Sequence, residues 1–272
     1  MNATFQERFE ALRKGRDTLL CVGLDPDPSK IPAEYMSEGE AGILAFLKDV
    51  SGATAPLAAA FKPNLAFFEA LGPGGWDLLA ELLAYIRSID PKVLLIADAK
   101  RGDIGNTAAA YARAFFEALD FDAITLSPYM GRDTIEPFLA YRDRAAIILC
   151  LTSNPGAEDF EMTGDPPLYL RVAREVAGLH ERHGNVWMVV GATRAADQVN
   201  AVREAAPGVP WLVPGVGAQG GSMSDVIEVT GGDVLINASR SILYAGKTRE
   251  AVAESSRRAA MELVEEMRRV RR

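Results

Sequence analysis

A carboxylate, an ammonium and a second carboxylate stand within six residues of one another in Val93-Leu-Leu-Ile-Ala-Asp98-Ala-Lys100-Arg-Gly102-Asp103. The segment opens as an apolar run of strand length, and a buried strand should end in turn residues rather than in charge. Side chains alternate along a strand, so Asp98 and Lys100 are expected to share a face. Gly102 is expected to bend the chain and bring Asp103 back towards the same space. The plain alternative is a surface salt bridge at a strand end, which contributes little and leaves unexplained what the rest of the chain repeats. Flanked by two carboxylates, Lys100 is expected to stay an ammonium. That disfavours a Schiff-base lysine, which needs the free amine, and suits a carbanion developing beside a fixed positive charge. At about 3 Å and an effective dielectric near 20, that attraction is on the order of 5 kcal/mol before desolvation is subtracted.

The elements that must position these groups follow from hydrophobic runs. Apolar segments read as strands over residues 18–25, 58–64, 93–98, 122–127, 145–151, 185–190, 209–213 and 233–237. Nearly all are followed by a helical pattern, at about 42–55, 76–89, 106–119, 167–183, 195–205 and 249–270. The strands are near-continuous apolar runs, as expected where both faces are covered. Eight βα units in a chain of 272 residues predict one α/β domain over residues 1–272, a parallel TIM (β/α)8 barrel with an N-terminal helix. A doubly wound open sheet is the alternative, but it would usually need fewer units.

In such a barrel the carboxyl ends of the strands converge on one site. Asp25, Lys62, Ser153, Gln219 and Arg240 fall at strand ends, together with Asp98, Lys100 and Asp103. Each alone could be a solvated loop residue; their recurrence is the signal. After strand seven, Pro214-Gly-Val-Gly-Ala-Gln219-Gly-Gly221 satisfies a dinucleotide fingerprint. That fold, however, builds several more βα units after its fingerprint, and only one strand remains here. Phosphate binding is the better reading, because loops after strands seven and eight commonly cradle a phosphate with backbone N–H groups. Arg240 can add a bidentate, permanently charged contact.

Composition narrows the classes. Net charge of −8 argues against a nucleic-acid binder that relies on phosphate attraction, and no apolar run approaches the length of a membrane span. The first residues, Phe5-Gln-Glu-Arg-Phe-Glu-Ala-Leu-Arg, read as an amphipathic helix rather than a signal peptide. Cys21 and Cys150 lie in strand-like runs and are expected to be reduced core residues of a cytoplasmic protein. The two histidines, His180 and His183, are expected on the solvated side of a helix. With no histidine near the strand ends, metal ligation is not expected, and a general acid must be Lys, Asp or Glu. The closing Arg268-Arg269-Val-Arg271-Arg272 reads as the cationic end of the last helix.

At these residues the chain resembles the orotidine 5'-monophosphate decarboxylases over essentially its whole length, in particular a longer-chain bacterial branch. Asp98-Ala-Lys100-Arg-Gly-Asp103-Ile104-Gly-Asn-Thr107 carries the resemblance. Phe61-Lys62-Pro-Asn, Thr152-Ser153-Asn-Pro-Gly, the Pro214–Gly221 loop and Ser239-Arg240-Ser second it in the same order. The resemblance implies a lyase of pyrimidine biosynthesis that turns orotidine 5'-phosphate into UMP and CO2 without metal or cofactor. It implies that Lys100 protonates C6 of the pyrimidine, that Asp98 faces the departing carboxylate, and that Lys62 and Asp103 complete a Lys–Asp–Lys–Asp chain. It further implies a homodimer in which Asp103, Ile104 and Thr107 come from the partner subunit. Asp25 and Lys62 would contact the ribose, Ser153 the pyrimidine edge, and Pro214, Gln219 and Arg240 the phosphate end of the substrate. Many relatives carry Ser-His-Pro-Gly where this chain has Ser153-Asn-Pro-Gly; the serine is kept. Two rivals remain. Sugar-phosphate decarboxylases of the same superfamily, of the keto-gulonate phosphate type, share the shorter Asp-x-Lys-x-x-Asp pattern but need Mg2+. A catalytically silent phosphate-binding barrel would not need both lysines and both carboxylates.

Overall fold

A computed structural model describes residues 3–216 and 221–271. Its eight strands are β1 Leu20–Leu24, β2 Ala60–Pro63, β3 Leu94–Arg101, β4 Ala123–Leu126, β5 Ala145–Leu151, β6 Val186–Val190, β7 Trp211–Pro214 and β8 Val234–Ala238. They close into a barrel in sequence order, with parallel pairing in registers such as Cys21 with Ala60 and Ala123 with Ala145. The expected barrel is therefore the observed one. Every residue of β1, β2, β4, β6 and β8 is buried, which is why these strands read as unbroken apolar runs.

The chain divides into two compact units. One comprises Arg8–Ala99 and Ala238–Arg269. Here the helices Glu40–Thr54, Pro73–Ile89 and Arg249–Val270 carry buried apolar stripes. Phe46 stacks on Tyr244 at 6.1 Å and meets Tyr35 edge-on at 5.5 Å. Arg16 pairs with Asp90 at 2.5 Å and donates to the carbonyls of Ala55 and Ala58. A single guanidinium thus satisfies the orphaned end of one helix and a buried carboxylate.

The other unit comprises Met1–Glu7, Lys100–Asn237 and Val270–Arg272. Phe5 of the N-terminal helix packs edge-on against Trp187 at 5.2 Å, so the amphipathic reading of that helix holds. The helix expected over 106–119 is instead an α-helix, Gly105–Arg113, followed by a π-turn, Ala114–Ala118. The wider turn buries both Phe115 and Phe116, which reach Phe121 at 6.0 Å and Tyr141 at 5.2 Å respectively. Short helices at Ala33–Met36, Leu65–Glu69, Glu136–Leu139 and Arg240–Leu243 have too few residues to show a period, and the sequence reading omits them.

Both cysteines are buried free thiols. His180 and His183 are half-buried rather than solvated. The ring of His180 bonds the Val186 carbonyl at 2.7 Å through Nδ1, so this histidine ties its helix to the next strand. Among the described residues, no helix is long and apolar enough to cross a membrane.

Candidate active site

In the unit of residues 8–99 and 238–269, Lys62 lies on β2, one residue before its end, and is 5% exposed. Its Nζ donates to Asp98 Oδ2 at 2.6 Å, and the backbone of Asp98 bridges Asn64, just past β2. Burial opposes the charge on Lys62, but Asp98 and then Asp25 outweigh it and hold its pKa above the ordinary lysine value. The ammonium is therefore fixed. Beside it, burial is the main force pushing the Cys21 thiol up to about 12; Lys62 pulls the other way, and the two aspartates add to the rise. Cys21 is accordingly a neutral wall of this site and no nucleophile.

Asp25 follows β1 directly. Its Oδ1 is buried without a hydrogen-bond partner among the described residues. The main chain around it is held by Tyr244, whose hydroxyl donates to the Asp25 carbonyl at 2.5 Å and accepts from the Asp27 N–H at 2.8 Å. Arg240 opens the short helix Arg240–Leu243 after β8 and is exposed.

In the unit of residues 100–237, Lys100 near the end of β3 has an exposed side chain on a left-handed backbone, φ +48°. A non-glycine residue there costs on the order of 1 kcal/mol and is found chiefly where function demands it. The strand runs on to Arg101 and ends before Gly102, so the positive φ at Lys100 comes in addition to the bend expected at Gly102. Gly102 also lies close to the next strand's end: a Cβ at this position would come within 3.1 Å of the Ser127 carbonyl oxygen. The pleat is broken at Lys100, so simple alternation does not set the direction of its side chain. Asp103 accepts from the Ile104 N–H at 2.8 Å. Ile104 is 55% exposed, and Thr107 in the next helical turn is exposed too.

Ser153 sits in the loop after β5, and that loop is gripped from two sides. Glu161 accepts from the Thr152 N–H at 2.8 Å and from its hydroxyl at 2.6 Å. Arg194 donates to the carbonyls of Thr152 and Asn154. Gly191 passes directly beneath, where a Cβ would lie 2.9 Å from that of Ser153. Pro214 is the last residue of β7 and half-buried. Gln219 lies outside the described residues.

Each predicted site residue that the structure describes thus stands in the carboxyl-terminal half of a barrel strand or in the segment that follows it, with Thr107 inside the next helix. Lys62 and Asp98 are brought into direct contact, with Asp25 acting on the same ammonium. Tyr244, Glu161, Arg194 and Thr125, which support these residues, escape the sequence reading. Only Thr125 leaves a trace, as a polar residue inside the apolar run Ala-Ile-Thr-Leu. Among the described residues, no group of three or more His, Cys, Asp or Glu side chains is placed to hold a metal ion.

Comparison with known proteins identifies a family for the chain. Residues 18–255 match the orotidine 5'-phosphate decarboxylase / HUMPS family. The orotidine 5'-phosphate decarboxylase of Herpetosiphon aurantiacus is 44% identical over 259 residues, covering 94% of this chain and 95% of that protein. The Porphyromonas gingivalis protein of the same name is 46% identical over 263 residues, covering 94% of each. The solved structure of Leishmania donovani OMP decarboxylase superposes with a TM-score of 0.82 at 38% identity, covering 97% of this chain and 98% of that one. Leishmania donovani UMP synthase superposes with a TM-score of 0.86 at 39% identity; 99% of this chain is covered, and it spans 57% of that longer chain.

Proposed function

Because this chain belongs to the orotidine 5'-phosphate decarboxylase / HUMPS family, we propose that it is the carboxy-lyase that converts orotidine 5'-phosphate to UMP in pyrimidine biosynthesis. The observation that carries this reading is the Asp98–Lys100 end of β3, with Asp98 gripped by a buried lysine at 2.6 Å. In the reaction the bond from C6 to the carboxylate breaks, CO2 leaves, and the electron pair stays on C6. The Lys100 ammonium stabilises that pair and then gives it a proton, yielding UMP. The neutral amine regains its proton from solvent. No redox change occurs, so no oxidant or reductant enters the balance.

Asp98 faces the substrate carboxylate and raises its energy before CO2 departs. Its bond to Lys62 keeps it from turning away. Lys62 and Asp25 contact the ribose, and the unpartnered Asp25 Oδ1 is the acceptor that a ribose hydroxyl needs. Ser153 reads the pyrimidine edge from its clamped loop. Pro214, Gln219 and Arg240 form the phosphate end of the site, where Arg240 supplies permanent positive charge.

The working unit is a homodimer of single-domain barrels in the cytoplasm, with no metal, cofactor, nucleic acid or membrane partner. Asp103, Ile104 and Thr107 serve the partner's site. The 55% exposure of Ile104 supports this, since an isoleucine kept at the surface beside a catalytic array gains from being covered. Lys100→Ala should abolish turnover while UMP binding remains measurable by calorimetry; comparable turnover in that variant would remove the proton-donor assignment. Mixing inactive Lys100→Ala with inactive Asp103→Ala should restore activity through hybrid dimers. No recovery despite confirmed subunit exchange would remove the shared site.

A further inference from the structure

The left-handed backbone of Lys100 is unusual for its residue type. Three described non-glycine residues have positive φ: Asp17, Lys100 and Asp120. Aspartate tolerates this region because its short polar side chain can bond locally; lysine has no such means. Something outside Lys100 must therefore hold its backbone.

The Lys100 N–H donates to the side-chain hydroxyl of Thr125 at 2.9 Å. Thr125 lies on β4 between Ile124 and Leu126, is 1% exposed, and pairs with Ile147 of β5. Valine would suit the strand and its apolar surroundings equally well. What threonine adds is an acceptor, and Lys100 uses it. Two residues on, the Ser127 N–H donates to the Arg101 carbonyl at 2.8 Å, so main-chain pairing resumes directly after the kink. The kink is thus confined to one residue, the one whose ammonium must meet C6. A long flexible stem magnifies any rotation of its own Cα, so the backbone angle at Lys100 sets where the ammonium can reach.

We propose that Thr125 is a positioning residue for the reaction: its hydroxyl holds the Lys100 backbone in the conformation that aims the ammonium at C6. The inference rests on Lys100 being the proton donor. It assigns Thr125 no contact with substrate, so its loss should be felt in the chemical step and not in binding.

The test is steady-state decarboxylation of orotidine 5'-phosphate by Thr125→Val, Thr125→Ala and Thr125→Ser, with wild type and Lys100→Ala in parallel and a thermal melt of each. Thr125→Val keeps the shape and removes the acceptor. It should lower kcat on the order of 100-fold while KM changes by less than about 3-fold. Thr125→Ala should do the same and carries the test if the valine variant does not fold. Thr125→Ser should restore most of the rate, which a purely space-filling role would not allow. Wild-type kcat in both the valine and alanine variants would overturn the proposal, as would a loss confined to KM or a serine variant as slow as valine. If wild type decarboxylates and Lys100→Ala does not, such a result removes Thr125 alone. If wild type itself fails to decarboxylate, the functional reading falls and the Thr125 role with it.

Discussion

Asp98→Asn should cost stability as well as activity, because it strands a buried cation. Lys62 Nζ and Asp98 Oδ2 lie 2.6 Å apart, with side chains 6% and 11% exposed. At that distance and an effective dielectric of about 20, their attraction is about 6 kcal/mol. Part of this is returned when asparagine relieves the dehydration of Asp98, and Asp25 still faces the ammonium. A net loss of about 3 kcal/mol results, at the lower end for breaking a buried pair. In a chain of this size that lowers Tm by roughly 6–12 °C. Adding Lys62→Met removes the stranded charge and should recover most of the loss, since an apolar replacement of a buried pair is often close to neutral. Urea unfolding of wild type, both single variants and the double variant closes the cycle and isolates the coupling. Asp98→Asn within about 0.5 kcal/mol of wild type, or a double variant no more stable than Asp98→Asn, would refute the reasoning.

Further outcomes are expected. Gly191→Ala places a methyl group 2.9 Å from Ser153 Cβ; it should raise KM on the order of 10-fold, and an unchanged KM would show that Ser153 is not a substrate contact. Tyr244→Phe removes one bond to the Asp25 carbonyl and one from the Asp27 N–H; urea unfolding should show a loss of about 1–2 kcal/mol, and none would mean that the β1 loop holds itself. The folded-state pKa of Lys62 is raised, so the stability it contributes is fully present below its unfolded value, about pH 10, and is lost as pH rises through the folded value. The difference in Tm between wild type and Lys62→Met should therefore stay flat from about pH 6 to 9 and change only at more alkaline pH; a change near neutrality would contradict the fixed ammonium.

Much of the barrel is legible because its strands are apolar runs that need no periodicity to be found. Residues 145–151 and 249–270 are read with the observed bounds. Strand edges shift where a polar residue is itself buried, as at Thr18 and Asp122. Candidate site residues can be nominated from the sequence because charge at a strand's end is improbable without a use. What holds those residues cannot. Tyr244 and Arg194 are distant in sequence from Asp25 and Ser153, and nothing in their local pattern marks a bond of long range. The left-handed φ of Lys100 is likewise invisible, because the residue type argues against it. At Gly102 the closeness of the Ser127 carbonyl oxygen, 3.1 Å from where a Cβ would lie, is equally absent from the local pattern.

The most direct measurement is the loss of orotidine 5'-phosphate absorbance on adding the protein in the presence of excess EDTA. Conversion to UMP that survives the chelator and disappears in Lys100→Ala is the expected result. No conversion, with decarboxylation of a sugar phosphate only after Mg2+ is added, would contradict it and leave the barrel serving a different substrate.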